Sequence, residues 1–219
     1  MLPMGIKCNY VIKINNYMII KMEPYFNILE SNGRLNKLGS KVVKLISKYS
    51  KKKLSKMSVL DIGCGNGFFE FALAPYFETI YGIDPSEKML HNARKTNNIF
   101  EYKNIRFYSG SAENNPFVRK FDLILFSYSL HYTNDPLMSL ERISKNIKDG
   151  GLLLILEPTK TFLPGGKYDK RESHFSKEIY KKKLERLKET RKIVNKFIKS
   201  YNLLDKVYDN RIYSVLIRY

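Results

Sequence analysis

The stretch "VLDIGCGNGFFEFALAPYF", residues 59–77, constrains this chain more than any other. An apolar, strand-like run ends in Asp61. Three alternating glycines follow, Gly63, Gly65 and Gly67, and the pattern then becomes amphipathic with apolar residues three and four apart. Glycines between a strand and a helix permit backbone conformations closed to other residues and let a ligand approach closely. The helix start beyond them offers unpaired N–H groups and a partial positive charge. Asp84 ends the next strand pattern, "YGID", where a carboxylate suits a ribose diol. A dinucleotide fingerprint would need a further glycine at position 68, where Phe68 stands. The loop by itself leaves its ligand open.

From residue 57 onward, strand and helix patterns alternate. "MSVLDIG", "TIYGID", "IRFYSG", "FDLILFSYSL" and "GLLLILEP" read as strands. "GFFEFALAPYF", "PSEKMLHNARKT" and "DPLMSLERISKNIK" read as helices, the second opened by Pro85 and Ser86, the third stopped by Gly150 and Gly151. Such alternation predicts an α/β fold, a parallel sheet with helices on both faces. Residues 34–49 predict an amphipathic helix ahead of the first strand, and roughly 176–200 a long basic helix. The closing runs "LLDKVYD" and "RIYSVLIRY" meet around Asp209 and Asn210, a hairpin signal. One domain is expected, with a basic leading segment over 1–56, a ligand-binding core over 57–158, and a basic loop, helix and hairpin over 159–219.

Five segments, "VLDIGCGNGFFEFALA", "GIDPSEKMLHNAR", "SGSAENNPF", "FDLILFSYSLHY" and "IKDGGLLLILEP", resemble in order and spacing the class I S-adenosylmethionine-dependent methyltransferases. The ubiquinone/menaquinone-biosynthesis and trans-aconitate type shares the hydrophobic-Asp-hydrophobic-Gly-Cys-Gly loop. The resemblance covers residues 57–158. It implies a Rossmann-like sheet, mostly parallel with a C-terminal antiparallel hairpin, S-adenosyl-L-methionine as cofactor, and methyl transfer as the activity. By the same resemblance, the loop from Asp61 through Gly63, Cys64, Gly65, Asn66 and Gly67 would hold the methionine portion, with Asp61 serving its amino group. Asp84 would take the ribose, Pro85, Ser86 and Met89 would lie near the adenine, and Ser111, Ala112 and Glu113 would close on its edge. Phe126, Ser127 and Tyr128 would floor the sulfonium site, and His131 matches a Leu-His-aromatic triplet of trans-aconitate-type members. Blander readings stand beside these. In those, Asp61 caps the turn, Glu113 is a helix-terminal charge, Cys64 is a small residue tolerated among glycines, and of the aromatics at 126, 128 and 132 all but Tyr128 pack the core. Glu157 reads equally as structural or as pocket-lining.

Methyl transfer from a sulfonium is mainly a matter of positioning in a site that excludes water. A general base is required only where the acceptor must lose a proton. His131 is the candidate for that role, with Tyr128 beside it. His91 is expected on a helix surface, and His174, in the loop after the fifth strand, is the weaker candidate. The two cysteines, Cys8 and Cys64, are far apart, so neither a disulfide framework nor a metal centre is expected, and a reducing, cytoplasmic compartment is the simplest. No apolar run approaches the roughly 20 residues of a membrane span.

The formal charge of +18 is unevenly spread. Residues 1–56 carry 12 Lys and Arg against 2 Asp and Glu, residues 57–158 carry 10 against 12, and residues 159–219 carry 17 against 7. One reading is an anionic partner: a charged small-molecule substrate, an acidic membrane surface, or an RNA gripped by Lys51, Lys52, Lys53, Lys181, Lys182 and Lys183. The other is compositional, because the abundant Lys, Asn, Ile and Tyr share AT-rich codons. The resemblance favours a methyltransferase of small molecules, with an RNA methyltransferase as the alternative. A non-catalytic partner subunit of the same fold is a third reading, against which the intact glycine loop and Asp84 argue.

Overall fold

A computed structural model of the chain describes residues 34–159, 177–208 and 212–219. Helix α1 (Arg34–Tyr49) precedes strand β1 (Ser58–Ile62), followed by α2 (Phe68–Leu73), β2 (Thr79–Asp84), α3 (Glu87–Phe100), β3 (Ile105–Ser109) and β4 (Phe121–Ser127). Then come α4 (Pro136–Ser144), β5 (Ile147–Pro158), α5 (Lys177–Phe197), β6 (Asn202–Tyr208) and β7 (Ile212–Arg218). The described strands form one sheet in the order β3-β2-β1-β4-β5-β7-β6. Strands β1 to β5 pair in parallel, and β7 pairs antiparallel with both β5 and β6. The predicted parallel sheet with a closing antiparallel hairpin is therefore present. The residues joining that hairpin, and His174, lie outside the described residues.

Alternate residues of each strand serve opposite faces. On one face Val59, Ile80, Leu123, Leu125 and Leu154 pack against Val42 and Ile46 of α1, Phe69 and Leu73 of α2, and Leu90 of α3. On the other, Leu60, Ile62, Ile124, Phe126, Leu153 and Ile155 pack against Leu140 and Ile143 of α4 and Val194 and Phe197 of α5. Local capping follows the sequence signals. The Ser86 hydroxyl accepts from the Met89 N–H at the start of α3, and Asp135 accepts from Met138 ahead of Pro136 in α4. Helix α4 stops earlier than its pattern predicts, at Ser144, and Gly150 and Gly151 lie inside β5 instead. The reason is pairing: Ile147 already sits opposite Phe121, and a register shift follows before Leu123.

All five parallel strands place their carboxyl ends at one edge of the sheet. The opposite edge is fastened at Asp122. Its Oδ2 accepts from the Ser58 N–H and hydroxyl and from Lys148, each at 2.9 Å, and its Oδ1 accepts from Lys52 at 2.9 Å. Burial alone would raise this carboxyl, but the Ser58 N–H and then the two lysines overcome it and hold it down to about 2. With the folded value below the unfolded 3.8, the stabilisation is fully present above about pH 4 and is lost as pH falls toward 2. Asp122→Asn should therefore cost about 1–2 kcal/mol after solvent screening of the half-exposed lysines. Urea denaturation at pH 7 and pH 2.5 checks it: the difference between wild type and variant should shrink at the lower pH.

Candidate active site

Three strands carry a carboxylate near their carboxyl ends, Asp61, Asp84 and Glu157, and the glycine loop gathers the first two. Gly63, Gly65 and Gly67 all have positive φ, at 75°, 54° and 82°, a conformation that L side chains adopt at a cost. At Gly63 an added Cβ would meet Ser129 Cβ at 2.5 Å, and at Gly67 it would meet Phe107 at 2.7 Å. At Gly65 it would meet nothing within 4 Å. Two of the glycines are thus required by packing, whereas Gly65 turns its bare face to open space. That is the side from which a ligand can lie against the backbone.

Asp84 organises this loop. Its Oδ2 accepts from the Gly65 N–H at 2.9 Å and its Oδ1 from the Ser86 N–H at 2.8 Å. A carboxylate offers about four lone-pair sites, so two bonds leave capacity for a pair of hydroxyls. Beside it, Pro85, Ser109, Gly110, Ser111 and Asn114 line an open cleft of about 270 Å³, just under the size of a whole small-molecule pocket and suited to part of a ligand. Ser111 is half-buried, the neighbouring Ala112 is buried in the core, and Met89 is half-buried on the first turn of α3.

Asp61 is the penultimate residue of β1 and is 1% exposed. The Ser127 hydroxyl lies 2.7 and 2.6 Å from its two oxygens and donates to it. Burial pushes its carboxyl up to about 7, and hydrogen bonding from Ser127 only partly opposes the shift. Glu70, on α2 beneath the loop, is wholly buried; no N–H or hydroxyl among the described residues donates to its oxygens, and its carboxyl lies within hydrogen-bonding reach of Asp61. Burial first, and then the Asp61 charge, holds it well above the usual carboxylate range. Cys64 is buried too, and burial and the surrounding acids raise its thiol, so the loop carries no thiolate nucleophile.

The turn after β4 brings a second group. Tyr128 takes a positive φ of 59°, an outlier for an aromatic residue. Its ring swings toward α2, 5.9 Å from Phe69. The Ser129 hydroxyl then donates to the Ile62 carbonyl, and a single 3-10 turn follows over Leu130–Tyr132. His131 in that turn is buried, with Nδ1 2.5 Å from Glu157 Oε2, while its backbone N–H donates to Glu157 Oε1 at 3.2 Å. Its Nε2 is buried and has no partner among the described residues. From α5, Arg186 donates to the carbonyls of His131, Thr133 and Asn134, fixing the turn from outside.

Most of the residues singled out in the sequence gather at this edge: the loop with Asn66, Asp61, Asp84, Pro85, Ser86, Met89, Ser111, Ala112, Ser127, Tyr128 and His131. Two do not. Phe126 points to the far face of the sheet and is buried with Leu60, Ile62 and Leu130. It follows strand alternation, opposite in phase to Asp61 and Ser127. The Glu113 carboxylate accepts from the Asn134 N–H and the Ser139 hydroxyl, and so faces the start of α4. His91 is exposed on α3. Glu70 and Glu157 are the site acids that pattern reading did not assign; a glutamate after an otherwise apolar strand, "LLLILE", was the available signal for the second.

Comparison with known proteins gives the family and the fold. A family model described as a methyltransferase domain matches residues 53–208. The demethylmenaquinone methyltransferase of Lactococcus lactis is 34% identical over 115 residues, covering 51% of this chain and 46% of that protein. The methyltransferase YcgJ of Bacillus subtilis is 31% identical over 100 residues, covering 45% and 40%. The chain thus spans about half the length of the curated relatives it matches. A solved S-adenosylmethionine-dependent methyltransferase from Aquifex aeolicus shares the fold with a TM-score of 0.61, over 85% of this chain and 97% of that one, at 20% identity. A glycine cradle under a strand-end carboxylate, a sheet closed by an antiparallel hairpin and a family match over most of its length together make this chain a member of the class I S-adenosylmethionine-dependent methyltransferases.

Proposed function

We infer that the chain transfers a methyl group from S-adenosylmethionine to a small-molecule acceptor whose reacting atom starts with a proton. The observation that carries this is the Glu157–His131 pair, which ends in a buried, unpartnered Nε2. A buried polar atom left without a bond costs about 1–3 kcal/mol, a cost that a purely structural histidine has no reason to bear.

When bound, S-adenosylmethionine supplies a methyl on a sulfonium, already activated for in-line displacement. The residues do the rest. Asp84 holds the ribose hydroxyls while keeping the Gly65 and Ser86 amides in place. The cleft of Pro85, Ser109, Gly110, Ser111 and Asn114 takes the adenine end, and Asp61, steadied by Ser127, takes the ammonium end. Glu157 accepts from His131 Nδ1, which leaves the lone pair on Nε2. Nε2 would then take the acceptor's proton, and the imidazolium so made would be stabilised by the Glu157 carboxylate.

A small acceptor is favoured by one of the relatives named above, whose name gives demethylmenaquinone as what it methylates. Lys181 to Lys183 lie just before Arg186 on α5, the helix that braces the His131 turn, and favour an acceptor with negative charge. Lys52, by contrast, is bound to Asp122 at the opposite edge of the sheet, so the 51–53 cluster does not flank the site. The test is transfer of labelled methyl from the cofactor to a metabolite pool, a lipid extract and total RNA, assayed separately. Label should enter a metabolite or lipid fraction; label in RNA alone would overturn the small-molecule reading.

A further inference from the structure

Glu70 has no part in the mechanism above, yet it is among the most deeply buried charged residues of the chain. Its carboxyl fills the space that a side chain at position 82 would occupy: a Cβ at Gly82 would lie 2.6 Å from Glu70 Oε1. Gly82 is the register partner of Asp61, so Glu70 sits against the same patch of sheet as Asp61. The groups that face it are Asp61 from β1, Cys64 from the loop and Asp84 from the end of β2, all acids or a neutral thiol. No lysine, arginine or histidine forms an ion pair with Glu70 or Asp61 among the described residues. The Ser127 hydroxyl has one hydrogen to give, and it gives it to Asp61. Two buried carboxylates cannot both stay ionised without a cation.

We propose that Glu70 is a second acid of the cofactor site, which shares one proton with Asp61 in the free enzyme and releases it when the ammonium end of S-adenosylmethionine binds. This rests on the cofactor assignment made above and concerns only its ammonium end. The free enzyme holds one negative charge on the pair, stabilised by Ser127. Arrival of the ammonium supplies the missing cation, the second carboxyl ionises, and its proton leaves to solvent. Glu70 acts through Asp61 and is a positioning residue. The arrangement lets a wholly buried site hold an ammonium without presenting two uncompensated charges beforehand.

A group that loses its proton on binding makes affinity rise with pH between its values in the bound and the free state. The experiment is calorimetric titration of the chain with S-adenosylhomocysteine, which keeps the ammonium, in buffers of different ionisation enthalpy near pH 7. Release of about one proton per site is expected, with affinity tightening by up to ~10-fold per pH unit between pH 6 and 8. Titration with 5′-methylthioadenosine, which lacks the ammonium, should release none. Glu70→Gln should bind with less than half the wild-type proton release and a flatter pH dependence. Binding of S-adenosylhomocysteine by wild type without proton release overturns the proposal, as does equal release by Glu70→Gln. The two-ligand comparison needs only the wild-type chain, so it stands even where the variant folds poorly. Failure of both ligands to bind overturns the cofactor assignment itself, and this proposal with it.

Discussion

Asp84→Ala should weaken S-adenosylmethionine binding by at least ~100-fold, since each hydrogen bond to a charged group is worth about 1.5–3 kcal/mol and two to the ribose are lost together. The loss has a second source. Asp84 also holds the amides of Gly65 and Ser86, so its removal frees the loop at the one glycine whose bare face is open. Some of the binding energy must then be spent on re-ordering that loop. Asp84→Asn separates the two contributions: its amide oxygen can still accept one backbone bond, so it should fall between wild type and alanine. Calorimetry with the cofactor measures all three. An alanine variant that binds within about threefold of wild type would remove Asp84 from the ribose site.

The second large effect is expected on turnover. His131→Ala should lower kcat by about 10²–10⁴ with an acceptor that must lose a proton, while cofactor affinity changes little, because no cofactor contact is assigned to the ring. Glu157→Gln removes the charge that stabilises the imidazolium and unsettles which ring nitrogen carries the proton. It should produce a large part of the same loss with Nδ1 still within reach of a carbonyl oxygen. The residual rate of His131→Ala should climb with pH as the acceptor ionises unaided, and an acceptor already ionised at neutral pH should rescue it. Single-turnover rates across pH 6 to 9 with two acceptors of different acidity decide the matter. A uniform loss for both acceptors would mean that His131 is there for packing.

The glycine loop, Asp84 and the strand–helix alternation could be read from residue types because each depends on local backbone requirements. Glycine marks positive φ, serine and aspartate mark helix starts, and an acid at a strand's end has few other uses. What escaped reading depended on contacts between distant segments. Phe126 lies in "FDLILF", a run so uniformly apolar that no alternation shows which face each residue takes. The end of α4 was set by Ile147 pairing with Phe121, a contact between strands that helical periodicity does not encode. Glu70 stands in the first turn of a helix, where a glutamate ordinarily serves the helix dipole in solvent. Only the glycine opposite, at position 82, shows that it is buried instead. Glu157 is the same case across the sheet: its meaning depends on His131, 26 residues earlier.

Arg186 holds three carbonyls of the turn that carries His131, from a helix 55 residues downstream. The proposed donor half of the site, by contrast, is built from the carboxyl ends of β1 to β4 and the loops that follow them. Descent can therefore work on the two halves separately. A lineage that altered α5 would retune where the base stands, and so which acceptors it suits, while inheriting the machinery for the methyl donor untouched.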